Sequence, residues 1–391
     1  MNICFFLPSS PKGGFNPKLG GGSELALYYL TTQLAKMGVE VHVVIDGEEK
    51  SVQTLEGVNV HTQPIPNNPL GAYTSAKSAL SSVCTDTGVD VLVGFELSVE
   101  WPKATVADAL ISVAHSGGLK LVYYVGNHYP WLIPKSESNP WLLWRSLKRV
   151  VRSAHTLLAA SSIMGRAVAR EAGVDPARVG IVPFGVPLEE YAPDAHDQRS
   201  QRSGVLFVGR IIPHKGLREL VEAARIIGGR GHSLHYTAVG PRGDLWEDYP
   251  GSHYRELSGL VELYHLGESF KFTGSLPREE VVRLMRTSRV FAFPSHAEGF
   301  GVALIQAMAA GAVPVVYEIE PLTEIVGEAG VYAKLGDPES LAEAIIRAYD
   351  DHTLPILVRQ RIQNYSIERV AAQFMKAVEA PEERATPPAG T

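Results

Sequence analysis

Short apolar runs alternate with segments of helical periodicity along nearly the whole chain. Continuous apolar runs of this length fit strands buried on both faces of a parallel sheet. In the first half they predict strands at Ile3–Leu7, Val39–Ile45, Val89–Val93, Leu119–Val125, Thr156–Ala160 and Val179–Val182, with helices such as Glu24–Lys36 and Ile163–Glu171 between them. Gly38 and Gly173 follow two of these helices, where a left-handed cap is wanted. The polar stretch Tyr191–Ser203, YAPDAHDQRSQRS, lacks apolar periodicity and reads as a linker. The pattern then restarts, with strands predicted at Val205–Val208, Leu234–Val239, Phe270–Thr273, Val290–Phe293 and Val313–Tyr317. Helices are predicted at Leu217–Ile227, Glu279–Thr287, Val302–Ala310 and Pro338–Tyr349.

This alternation predicts an α/β protein of two Rossmann-like, doubly wound domains facing across a cleft. The expected division is a first domain at 1–190, a linker at 191–203 and a second domain at 204–365. A closing helix at 366–380 can pack back on the first domain, and the Pro/Ala/Glu-rich tail 381–391 is expected to be disordered. Ligands of such sheets bind beyond the carboxyl ends of the strands, so glycine, basic and acidic residues there matter most.

The 391 residues suffice for two ordinary domains, and 45% hydrophobic with 20% charged residues argues against wholesale disorder. A net charge of −6 gives no global attraction to nucleic acid. Cys4 and Cys84 are too few for a disulfide framework or a cysteine-based zinc site. No signal peptide and no membrane-spanning apolar run is visible, so a cytoplasmic location is expected.

Three places can carry chemistry. The strand Val205–Val208 runs into Gly209-Arg210-Ile211-Ile212-Pro213-His214-Lys215-Gly216, which puts Arg210 and Lys215 on a tight loop opening a helix. Two cations near a helix N-terminus suit a diphosphate, although solvated loop charges would read the same. The strand Val290–Phe293 runs into Pro294-Ser295-His296-Ala297-Glu298-Gly299-Phe300-Gly301-Val302. There the backbone N–H groups of Gly299 to Gly301 would face a ligand and Glu298 could accept from sugar hydroxyls; helix capping by an acidic residue is the alternative. Gly20-Gly21-Gly22-Ser23-Glu24 lets backbone approach a phosphate between the first strand and first helix, but matches neither a dinucleotide fingerprint nor a Walker loop.

Taken in order, these pieces resemble glycosyltransferase family 4, the large retaining group with the GT-B fold. The resemblance rests on GGGSELALYYLTTQLAKMGVEVHVV, IVPFGVPLEEY, LFVGRIIPHKG, FKFTGSLPREEVVRLM and, most specifically, VFAFPSHAEGFGVALIQAMAAGAVPVV. It implies transfer of a hexose or N-acetylhexosamine from a nucleotide diphosphate sugar to a hydroxyl of a glycan, lipid-linked or small-molecule acceptor. It further implies that Gly21 and Gly22 approach the donor diphosphate, that Arg210 and Lys215 neutralise it, and that Glu298, Gly299, Phe300 and Gly301 hold the donor sugar and its phosphates. Main-chain groups near Gly274 and Ser275 would contact the base. No metal and no cofactor is implied; the nucleotide sugar is a co-substrate.

Two positions depart from the family pattern. The second glutamate, eight residues after the first, is Gln306 here. Its amide can hold a ribose without charge assistance, at a loss of roughly 1–2 kcal/mol relative to Glu. Many relatives carry a histidine directly after the strand that ends at Val125; this chain has Gly126-Asn127-His128, so His128 takes the role from two residues further on or is a loop histidine. These departures motivate the rival reading of a non-catalytic sugar-nucleotide-binding subunit. Finally, Trp141–Arg152, WLLWRSLKRVVR, gathers Arg145, Lys148, Arg149 and Arg152 on one helical face and Leu143, Leu147, Val150 and Val151 on the other. Such a helix either packs on the sheet with a solvated basic face or meets an anionic membrane surface.

Overall fold

The computed structural model describes residues 1–8, 15, 21–97, 105–126, 140–192, 202–242 and 252–380, with backbone alone at 140–144. His128 therefore lies outside the described residues, as do the expected tail and most of the expected linker. Two compact units emerge: Met1–Phe184 together with the segment from Glu368, and Gly185–Ile367.

Among the described residues the first unit is built on eight strands: β1 (Asn2–Leu7), β2 (Glu40–Asp46), β3 (Ser51–Leu55), β4 (Val58–Gln63), β5 (Val91–Phe95), β6 (Lys120–Val125), β7 (Thr156–Ala159) and β8 (Val179–Ile181). Their spatial order is β3-β4-β2-β1-β5-β6-β7-β8, parallel except for the antiparallel edge pair β3–β4. Every residue of β1 is buried, as expected of a central strand covered on both faces. The β3–β4 pair was absent from the periodicity reading. β3 is an edge strand with exposed side chains, so no apolar face marks it. Helix ends follow the caps in the sequence. Ser161 accepts from the Met164 N–H, and Gly173 closes the same helix in the left-handed conformation.

The second unit carries β9 (Val205–Val208), β10 (Tyr236–Val239), β11 (Phe270–Gly274), β12 (Val290–Phe293), β13 (Val313–Tyr317) and β14 (Val331–Ala333). All neighbours are parallel, in the order β11-β10-β9-β12-β13-β14. The three-residue β14 was not expected; it is too short to show a pattern. Strand order reverses between β9 and β12, and a crevice opens at such a switch point beyond the strand ends. The second unit begins at Gly185, ahead of the Tyr191–Ser203 stretch. Tyr191 is buried in the short helix Leu188–Tyr191, with the Arg278 guanidinium 5.8 Å from its ring centroid.

Helix Pro140–Ser153 buries Leu147, Val150 and Val151 in the core of the first unit. Arg149 pairs with Asp108 at 2.5 Å and Arg152 donates to the Ala172 carbonyl at 2.8 Å, so part of the basic face is used internally. Among the described residues no helix is long and apolar enough to cross a membrane.

The last helix, Ile367–Glu379, docks by aromatic packing on the first unit. Phe374 is fully buried, its ring centroid 5.6 Å from that of Phe5 and 6.1 Å from that of Tyr124. Lys120 donates to the Val378 and Ala380 carbonyls at 2.6 and 2.8 Å and so satisfies the open C-terminal end of the helix. Phe374→Ala is expected to cost about 3–5 kcal/mol by emptying this socket. Urea unfolding followed by circular dichroism measures the loss; a change under about 1 kcal/mol would mean that the ring does not anchor the helix.

Candidate functional site

The loops leaving β9 and β12 converge at the switch point. After β9 the chain makes one 3₁₀ turn, Pro213–Lys215, and Gly216 then turns left-handed (φ 70°) into helix Leu217–Gly229. A Cβ on Gly216 would lie 1.9 Å from the Pro294 carbonyl oxygen, so only glycine allows the two loops this close. The His296 N–H donates to the His214 carbonyl at 2.8 Å, and the His296 ring meets Glu219 at 2.8 Å.

At the centre of this contact the Lys215 ammonium pairs with the Glu298 carboxylate. Both side chains are largely buried, 13% and 10% exposed. The ammonium also stands 5.5 Å from the centroid of the Phe293 ring. Desolvating two charges is costly, and each partner offsets the cost for the other. Beside them, burial pushes the His214 imidazole down to about 4, and the charges of Lys215 and Arg210 act in the same direction. His214 is therefore neutral near pH 7, and the local cations are Arg210 and Lys215. Arg210 is half-buried at the same loop.

Beyond Glu298, Gly299 and Phe300 are buried and Gly301 (φ 105°) forms the N-cap of helix Val302–Ala309. Its N-cap is a glycine, which has no side chain to offer this end. The first-turn N–H groups of a helix have no acceptor within it, which suits an anion. Gln306 lies one turn further along and is 9% exposed. On the other flank, Gly274 (φ 76°) and the exposed Ser275 end β11, and the Gly274 carbonyl accepts from the Gly240 N–H at 3.0 Å. The structure thus groups Arg210, Lys215, Glu298, Gly299, Phe300, Gly301 and Gln306 around one strand-order reversal, with Gly274 and Ser275 two strands from β9.

Gly21 and Gly22 belong to the first unit. Gly21 is the extended N-cap of helix Gly22–Lys36. The Glu24 side chain folds back over it: a Cβ on Gly21 would lie 2.8 Å from Glu24 Oε2. Burial raises the Glu24 pKa, against hydrogen bonds from the Glu24 and Gly21 backbone that lower it. The carboxylate therefore occupies the helix end at which a phosphate was expected.

One residue escaped the sequence reading. Glu96 follows β5 with a positive φ of 50° and is only 5% exposed. Its Oε1 accepts from the Gly126 N–H at 2.5 Å. Burial, reinforced by the Glu96 charge, pushes the phenols of Tyr123 and Tyr124 up. An acidic residue at the carboxyl end of the buried run Val91–Phe95 was the available signal. Among the described residues no cluster of three or more His, Cys, Asp or Glu side chains could hold a metal ion.

Known proteins agree with this architecture. The model of glycosyl transferases group 1 matches residues 191–369, and that of Glycosyltransferase Family 4 matches residues 20–190. The chain is 25% identical to the D-inositol 3-phosphate glycosyltransferase of Corynebacterium efficiens, covering 92% of this chain and 90% of the relative. Among solved structures it superposes on sucrose-phosphate synthase from Thermosynechococcus elongatus with a TM-score of 0.76 and 19% identity, covering 96% and 97% of the two chains. For Anabaena HepE in complex with UDP and glucose the TM-score is 0.72 at 18% identity, covering 97% and 99%. Two sheets of parallel strands and matches that together run from residue 20 to 369 lead to one conclusion: the chain is a glycosyltransferase of the GT-B fold and belongs to glycosyltransferase family 4.

Proposed function

We propose that this enzyme moves a hexose or N-acetylhexosamine from a nucleotide diphosphate sugar to an acceptor hydroxyl with retention of configuration and without a metal ion. The observation that carries this reading is the contact of Lys215 with Glu298, 83 residues apart in sequence, at the switch point of the second unit. A cation and a carboxylate held at one point can serve the two sides of the bond that breaks. Lys215 and Arg210 face the leaving diphosphate, and Glu298 accepts from hydroxyls of the transferred sugar. The complex of HepE with UDP and glucose supports a donor of this class.

In the reaction the bond from the anomeric carbon to the phosphate oxygen breaks, and a bond to the acceptor oxygen forms on the same face. The acceptor proton passes to the departing phosphate oxygen. No protein base is consumed, so the protein's task is to stabilise charge growing on the diphosphate. Two cations and the glycine-capped N-terminus of helix Val302–Ala309 supply that stabilisation. In the first unit, the Gly21–Gly22 backbone can meet a phosphate once Glu24 moves aside. His128 remains the proposed polar group for the acceptor side.

Arg210→Ala and Lys215→Ala are each expected to lower turnover by roughly a hundredfold or more while circular dichroism stays unchanged, because a cation stabilising developing charge contributes a few kcal/mol to the barrier. Release of nucleoside diphosphate from a panel of nucleotide sugars measures this, and near-normal rates in both variants would remove the diphosphate site.

In the same assay activity should persist in excess EDTA. Complete inhibition by chelator, reversed by magnesium or manganese, is the result that contradicts a metal-free mechanism.

Gln306→Leu should weaken donor binding by ~1–3 kcal/mol, mainly through Kd or KM, since a ribose contact is similar in ground and transition states. Gln306→Glu should keep or raise affinity, whereas Glu298→Gln should lose more in kcat because it lies beside the transferred sugar. Calorimetry paired with steady-state rates separates the patterns; unchanged affinity and rate in Gln306→Leu would take Gln306 out of the donor site.

A further inference from the structure

The loops leaving β9, β10 and β11 are laced together at their carboxyl ends. The Gly209 N–H donates to Val239 at 2.9 Å, the Gly240 N–H to Gly274 at 3.0 Å and the Ile211 N–H to Pro241 at 3.2 Å. Gly240 (φ 150°) makes the lacing feasible: a Cβ there would lie 1.8 Å from the Gly209 carbonyl oxygen. The next side chain on this ledge is Arg242.

Arg242 is half-buried and held in place from two directions. One terminal nitrogen donates to the Phe272 carbonyl at 3.0 Å. The guanidinium carbon stands 4.8 Å from the centroid of the Tyr254 ring, and that ring packs edge-on against Phe272. Yet Nε is buried and has no acceptor among the described residues. Beside it is the space left by Gly274: a Cβ there would be 3.5 Å from Nε and 3.9 Å from Cζ. A fixed guanidinium with an unanswered buried N–H, next to a missing side chain, is a donor awaiting an acceptor.

We propose that Arg242 reads the base of the nucleotide donor by donating to a carbonyl oxygen of the ring, so that uracil or guanine is accepted in preference to adenine. The inference rests on the donor-site reading above. The order β11-β10-β9-β12 sets its direction. Glu298, for the sugar, follows β12; Arg210 and Lys215, for the diphosphate, follow β9; Arg242 follows β10, on the side away from the sugar. A nucleotide sugar is a linear chain of sugar, diphosphate, ribose and base, so the group reaching past β9 is the nucleoside end. Helix Val302–Ala309, which carries Gln306, packs against helix Arg278–Thr287, which follows the Gly274 loop; the ribose and base positions are therefore neighbours. Uracil and guanine present ring carbonyls to a donor, whereas adenine has no ring carbonyl, accepts only at ring nitrogens and carries an amino donor where guanine has its carbonyl.

Isothermal titration calorimetry of the full chain with UDP, GDP, ADP and inorganic pyrophosphate tests this. The native protein should bind UDP or GDP about tenfold or more tighter than ADP. Arg242→Leu should bring the two affinities within about threefold while pyrophosphate binding changes by less than about threefold. Arg242→Lys keeps the charge but lacks the planar fork and Nε, so it too should lose the preference. Thermal melting checks that each variant is folded, and Tyr254→Leu, which removes the ring beneath the guanidinium, should narrow the preference partially. If Arg242→Leu weakens UDP, ADP and pyrophosphate alike, Arg242 is a phosphate contact and the inference is wrong. An unchanged ratio of UDP to ADP affinity in Arg242→Leu also overturns it while leaving the donor site standing. Failure of the native protein to bind any nucleoside diphosphate overturns the donor-site reading and this inference together.

Discussion

The second unit depends on how closely the loops after β9 and β12 approach each other. A left-handed glycine at 216 passes beneath the Pro294 carbonyl, where any side chain would collide with backbone. Backbone cannot yield as the tip of a flexible side chain can. From this approach follow the His296 to His214 backbone bond, the His296–Glu219 contact and the Lys215–Glu298 pair. The candidate site is thus anchored in backbone geometry, and its side chains inherit their positions from it.

The electrostatics follow from the same proximity. Lys215 and Glu298 stand largely out of water, and each offsets part of the desolvation cost of the other. Burial keeps His214 neutral near pH 7 at the same spot.

The first unit treats its strand ends differently. Glu24 covers the N-terminus of the first helix with its own carboxylate, and Glu96 grips the Gly126 amide at the end of β6. Both carboxylates follow strands adjacent at the centre of the sheet, β1 and β5. The second unit therefore presents a glycine-capped helix end at its reversal of strand order, while the first unit presents acidic side chains bonded to backbone.

Much of the architecture was written in the sequence by itself. Runs such as Ile3–Leu7 and Val290–Phe293 are apolar on both sides because both faces of their sheets are covered, and that pattern is local. The same local chemistry marked Arg210, Lys215 and Glu298 at strand ends, and the long segment around Glu298 identified the family. The edge strand β3 and the three-residue β14 had no such mark, being exposed or too short. Only the tertiary structure decided which marked residues meet. Lys215 finds Glu298 because β9 and β12 are neighbours despite two intervening strands, and the buried Arg242 Nε stands without an acceptor beside Gly274. Periodicity reports a residue's own surroundings along the chain, whereas an ion pair or an unanswered N–H depends on partners delivered by strand order and by where glycine lets backbones touch.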